Sequence, residues 1–181
     1  MHLRRFKLNR AGFSLTELLA AVLILAMVSS VVAGGIPVAR DAYRKVTVSA
    51  NAQVLLSTTI SALRNQLGTS VIEKVGNTEV GETTVSGDSV TYLSGLNGAG
   101  TQIRLDGSVL TIQEFADYSN KVKVRPLVPG ADGLYATYSA ENAISYNPGD
   151  GLLTIKGLTV KKTGDTREYV TPIDLSIRVI G

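Results

Sequence analysis

The sequence predicts an α+β protein: one long N-terminal helix, half membrane span and half amphipathic, packed on an antiparallel β-sheet. Three observations carry this prediction. Residues 13–36 are almost wholly apolar or small, with Glu17 as their only charge. Residues 38–67 repeat apolar side chains at spacings of three and four. Beyond Gly68 the texture changes to short alternating runs separated by glycine-rich turns.

The apolar run comes first. About 24 residues at helical rise give roughly 36 Å, enough to cross a hydrocarbon layer of about 30 Å. A core helix has no need to be apolar on every face for that length, so residues 13–37 read as a membrane span. Arg4, Arg5, Lys7 and Arg10 precede it. A secretory signal would have a shorter apolar region with its small-residue cut site on the far side. Here the small residue, Gly12, stands before the run, beside the basic segment. Glu17 is the second departure. A carboxylate near the bilayer centre costs about 2.5–3.5 kcal/mol, and less near the interface.

Gly12-Phe13-Ser14-Leu15-Thr16-Glu17, after a short basic leader and before Leu18, Leu19, Val22, Leu23 and Leu25, resembles the class III signal of type IV prepilins and pseudopilins. The resemblance covers roughly residues 8–45. It implies cleavage after Gly12 by a prepilin peptidase on the cytoplasmic side, followed by N-methylation of Phe13 by the same enzyme. Glu17 corresponds to the family's assembly glutamate. The implied fold is a pilin: leader 1–12, filament-core helix 13–37, amphipathic half-helix 38–67 and β-rich head 68–181. The implied partners are the peptidase/N-methyltransferase, other pilin subunits, the pilus assembly platform and, before assembly, membrane lipid.

Charge agrees with this layout. The leader holds four of the 18 Lys+Arg and none of the 15 Asp+Glu, which leaves 14 basic against 15 acidic residues. The basic pI therefore reports topology rather than nucleic-acid binding. Positive residues stay in the cytoplasm, which places the chain beyond the span outside, in an extracytoplasmic filament once assembled. Arg40, Arg44 and Lys45 weaken that asymmetry, and Asp41 is mixed among them.

Gly34, Gly35 and Pro37 close the span. Interior glycine costs a helix about 1 kcal/mol and proline about 3 kcal/mol, so a kink or short break is expected there, with a plain membrane exit as the simpler alternative. Next, Tyr43, Val46, Ala50, Val54, Ser57, Ile60, Leu63 and Leu67 trace an expected sheet-facing stripe, and Gly68 is a natural stop. Strands are expected near 89–93, 102–105, 109–112, 121–125, 152–155, 158–161, 169–171 and 173–179, with a tight hairpin at Asp106-Gly107.

The chemistry available to the head is restricted. There is no cysteine, and the only histidine, His2, lies in the leader. Ser-His-Asp and Cys-His nucleophile systems and histidine- or thiolate-based zinc sites are therefore unavailable after cleavage, and no enzyme is expected. Absence of cysteine also departs from the many pilins that close a C-terminal loop with a disulfide. No cofactor is expected. Asp132, Asp150 and Asp165 lie in glycine-rich loops that could offer oxygen ligands to calcium, as in some major pseudopilins. No segment has the Asp-x-Asp-x-Asp-Gly loop pattern, and turn chemistry is the simpler reading. Lys121, Lys123 and Arg125 share a strand face and Lys161-Lys162 form a second basic cluster. Without an aromatic platform these read as solvated charges rather than a phosphate-binding surface. Tyr135, Tyr138 and Tyr146 are open to two readings: an adhesive loop, or half-buried tyrosines under a long connection. The rival to a filament subunit is a permanently anchored single-span protein with an extracytoplasmic binding or enzymatic domain; it requires neither Gly12 nor Glu17.

Overall fold

The computed structural model describes residues 14–94, 100–106, 108–117, 120–138 and 141–180. One helix, α1, runs from Leu15 to Leu67, and eleven strands follow it among the described residues. The chain divides into two compact units, Met1–Lys45 and Val46–Gly181. In the first unit the described helix is exposed on every side, including Leu18, Leu19, Val22, Leu23, Leu25 and Ile36. It is long and apolar enough to cross a membrane.

In the second unit α1 has one buried face, made by Ala52, Leu55, Leu56, Thr59, Leu63 and Leu67. This corrects the stripe expected from the sequence. Leu63 and Leu67 are buried as anticipated, and Ile60 is partly buried. Val46 and Val54 are 69% and 63% exposed, and Ala50 and Ser57 are exposed too. Spacings averaging near 3.5 residues fall short of the 3.6-residue turn and drift around the helix over several repeats. The expected stripe therefore begins on the solvent side and reaches the sheet side only at its end. Gly68 closes the helix as expected, its N–H donating to Arg64 O at 2.9 Å. A Cβ at Gly68 would stand 2.6 Å from that same oxygen.

The strands are β1 (Ser70–Val75), β2 (Thr78–Glu79), β3 (Val85–Gly87), β4 (Ser89–Ser94), β5 (Gly100–Asp106), β6 (Val109–Asp117), β7 (Asn120–Pro126), β8 (Leu134–Tyr138), β9 (Ile144–Asn147), β10 (Leu152–Lys162) and β11 (Ile173–Arg178). They form two antiparallel sheets rather than one. The first has the order β2-β1-β4-β5-β6-β7; the second has the order β11-β10-β9-β3, with β8 also pairing β10. β5 and β6 pair as far as Asp106 with Val109, and Gly107 of the expected Asp106-Gly107 turn lies outside the described residues.

The two expected runs 152–155 and 158–161 are a single strand, β10, with a register shift between Ile155 and Leu158. Gly157 sits there at φ +67° and its N–H donates to Asp174 Oδ1 at 2.9 Å. The bulge lets one strand serve two neighbours. Its first half pairs β9, and its second half pairs β8. Residues 169–171 are not a strand. They follow β10 through Tyr169 N–H to Val160 O and Thr159 Oγ1 to Val170 O, but Pro172 interrupts any ladder leading into β11.

Among the described residues, the core lies wholly in the second unit. Leu63 and Leu67 of α1 belong to one buried cluster with Val75, Val90, Tyr92, Ile103, Ile112, Leu153, Ile155 and Leu158 of the sheets. Tyr92 is buried yet keeps a partner, its hydroxyl donating to Gln66 Oε1 at 3.2 Å. Burial, aided by the Glu114 carboxylate, pushes its phenol well above the usual tyrosine range.

Candidate functional site: the helix N-terminus

Leu15 begins α1, which makes Ser14 its N-cap. Ser14 Oγ accepts the Glu17 N–H at 3.2 Å, and Glu17 Oε2 accepts the Ser14 N–H at 3.3 Å. This is a reciprocal capping box, in which two helix-terminal N–H groups that lack a helical partner are satisfied by the two side chains. Thr16 Oγ1 lies 2.7 Å from Ser14 Oγ and extends the network. The carboxylate also sits in the first turn, where the helix dipole favours a negative charge. Sequence reasoning singled out Glu17 and passed over Ser14. The S-x-x-E spacing that signals the box was present in Ser14-Leu15-Thr16-Glu17.

Gly12 and Phe13, the expected cut site and methylation site, lie outside the described residues, as does the basic leader. Gly34, Gly35 and Pro37 lie inside α1, which continues without interruption on both sides. The break alternative is thus not what the chain adopts. Proline at 37 still removes one backbone donor and crowds the carbonyl of Ala33.

The remaining candidates fall into ordinary loop and surface roles. Asp132 Oδ2 accepts from Asn51 Nδ2 at 3.3 Å and Asp150 Oδ2 accepts from Asn147 Nδ2 at 2.7 Å. Asp165 accepts from Arg167 N–H and Tyr169 OH, both at 2.9 Å, and those bonds hold its carboxyl below the usual range. Among the described residues, no three His, Cys, Asp or Glu side chains gather closely enough to hold a metal. Arg125 pairs Glu114 at 3.3 Å and Lys161 pairs Glu168 at 3.8 Å. The side chains of Lys121 and Lys123 lie outside the described residues. Tyr138 is buried in β8, and Tyr135 and Tyr146 are half-buried in β8 and β9. They are strand residues, which replaces the adhesive-loop reading.

A long apolar helix leading into antiparallel sheets defines an α+β, pilin-like architecture. A family model described as the prokaryotic N-terminal methylation motif matches residues 7–33. The chain thus carries the prepilin motif of type IV pilins and pseudopilins, and that motif implies processing by prepilin peptidase and assembly with pilin subunits. No significant match was found to a curated protein or to a solved structure.

Proposed function

We propose that this protein is a structural subunit of a type IV pilus or pseudopilus. The observation that carries the reading is the match to the methylation motif at residues 7–33, directly over the start of an apolar helix whose described residues are exposed on every side as far as Lys45. In this reading prepilin peptidase cuts after Gly12, and Phe13 becomes the methylated N-terminus. The span 13–37 waits in lipid with the leader in the cytoplasm, then moves into a filament core. Segment 38–67 and the head 68–181 form the extracytoplasmic surface, and Gly34, Gly35 and Pro37 supply a place for the helix to bend. The assembly platform and neighbouring subunits are its partners.

The capping box gives Glu17 a defined starting state. Before assembly its carboxylate is held by Ser14 of the same chain, which reduces its exposure to lipid. On addition to a filament it exchanges that bond for the α-amine of a neighbouring Phe13, in an environment where apolar helices weaken screening. Recovery of the protein in filaments sheared from the cell surface, at the expense of the membrane pool, is the expected result. Retention of all the protein in the membrane fraction, in cells that make filaments, would point instead to a permanently anchored protein.

A further inference from the structure

The two sheets meet at a polar cleft for which neither the prepilin motif nor the fold provides a use. Its base is a backbone contact between Gly76, in the β1–β2 turn, and Gly87, at the end of β3. A Cβ on Gly87 would stand 2.7 Å from both Cα and N of Gly76, so only glycine permits the approach. The space above is about 400 Å³, within the range of about 300–1,000 Å³ typical of small-molecule sites. Its lining is Asn77, Ser86, Asp88, Ser89, Arg104 and Asn142, apart from the two glycines. No apolar side chain contributes.

The cleft is held in shape from several directions. Asp88 O accepts the Tyr138 hydroxyl, and Asp88 Oδ1 accepts the Asn142 N–H at 2.6 Å. Gly76 N–H donates to Ser89 O at 2.8 Å. Gly76 and Asn142 both take positive φ, +60° and +51°, conformations that a tight polar rim demands. These bonds link the β1–β2 turn, β4, β8 and the loop before β9, so Asp88 and the backbone at Gly76, Ser89 and Asn142 are held before any ligand arrives. Such preorganisation lowers the ordering cost of binding.

The chemistry of the lining narrows the ligand. One arginine and one aspartate cancel, so the site has no net attraction for a phosphate or another small anion. A single carboxylate is too few for a calcium cage. A peptide would need an apolar anchor, and none is present. What remains is a set of two amides, two hydroxyls, a carboxylate and a guanidinium, each able to donate, accept or do both. A neutral saccharide presents hydroxyls of the same dual character. We propose that this cleft binds a neutral saccharide through hydrogen bonds to Asn77, Asp88 and Asn142. Without an aromatic ring in the lining to stack on the sugar face, affinity falls in the millimolar range, a binding free energy of about −4 kcal/mol.

The test uses the full-length protein in lauryldimethylamine oxide micelles, a detergent with no sugar headgroup. Saturation-transfer-difference NMR is recorded with cellobiose, maltose, lactose and chitobiose, each at about ten times a millimolar Kd, and with inorganic phosphate. At least one disaccharide is expected to give a signal that phosphate does not reduce. Asn77→Ala and Asp88→Asn are each expected to weaken it by about ten-fold. Asparagine at 88 keeps an oxygen for the Asn142 N–H, and an unchanged thermal transition in both variants establishes that the head is intact. Silence from all four sugars would overturn the proposal. So would displacement by phosphate, or a sugar signal that both variants preserve.

Discussion

The two halves of α1 share one continuous helix and live by different rules. In the first unit the described helix is exposed on every side, and as far as Ile36 it is apolar or small apart from Glu17. In the second, a single face is buried, and Val46 and Val54 on the opposite side remain exposed beside polar neighbours. The second half gains its stability from packing on the sheets. Among the described residues the first has no buried face, and its exposed surface is what a lipid layer or neighbouring helices would cover in the proposed subunit. Helical propensity alone would not distinguish them; what differs is their pattern of polar residues and the surface that each half buries. The capping box and Pro37 are where that contrast meets the backbone, at the start of the span and near its end.

The largest effect is expected at the leader junction. Gly12→Leu places a branched side chain beside the proposed scissile bond and should abolish processing, leaving full-length precursor in the membrane and no filaments. Immunoblotting of membrane and sheared fractions measures it. Normal removal of the leader would show that the cut lies elsewhere. Glu17→Leu should come next. Insertion should persist or improve, since an acid leaves the span, while the ratio of filament to membrane protein falls sharply when the variant is the only copy. An unchanged ratio would make Glu17 a tolerated interfacial acid.

Two substitutions sharpen the contrast within the second half. A piece comprising residues 37–181 should fold alone, because the described core lies entirely within Val46–Gly181. In that piece Leu63→Ala should cost about 2–5 kcal/mol, since Leu63 is fully buried. Val54→Ser, on the exposed side, should stay within about 0.5 kcal/mol. Chemical denaturation of both variants decides the point, and equal losses would mean that the helix faces have been misassigned.

The smallest effect concerns acid. Asp165 has its carboxyl held low by the Arg167 N–H and the Tyr169 hydroxyl. Its contribution is therefore present above the ordinary carboxylate pKa and lost as pH falls through the lowered value. Thermal melts of wild type and Asp165→Ala should differ slightly at neutral pH and converge under strongly acidic conditions. A gap that widened with acid would contradict that linkage.

Much of this was legible in the residues. The span, the stop at Gly68 and the strands at 89–93 and 121–125 follow from unbroken apolarity, glycine and alternation, all local signals. The stripe on α1 was misread because a spacing near 3.5 residues looks periodic along the sequence while turning around a real helix. Strands β3, β8 and β9 escaped notice because they are short and rich in Ser, Gly, Ala or Tyr, and their pairing is set by distant partners. The join of 152–155 to 158–161 depended on a bulge whose justification, Asp174, is 17 residues away from Gly157. At the helix start, Glu17 stood out as the lone acid, but its partnership with Ser14 required knowing where the helix begins.

Whether the exposed half of α1 belongs to a processed filament subunit can be read from the mass of the protein's N-terminus. Protein taken from native membranes and from sheared filaments, in cells with an active prepilin peptidase, is digested and its N-terminal peptide sequenced by mass spectrometry. A processed subunit begins at Phe13 and carries one methyl group on its α-amine, and that is the expected peptide. A peptide beginning at Met1 with the leader intact, in those same cells, would contradict the proposed processing.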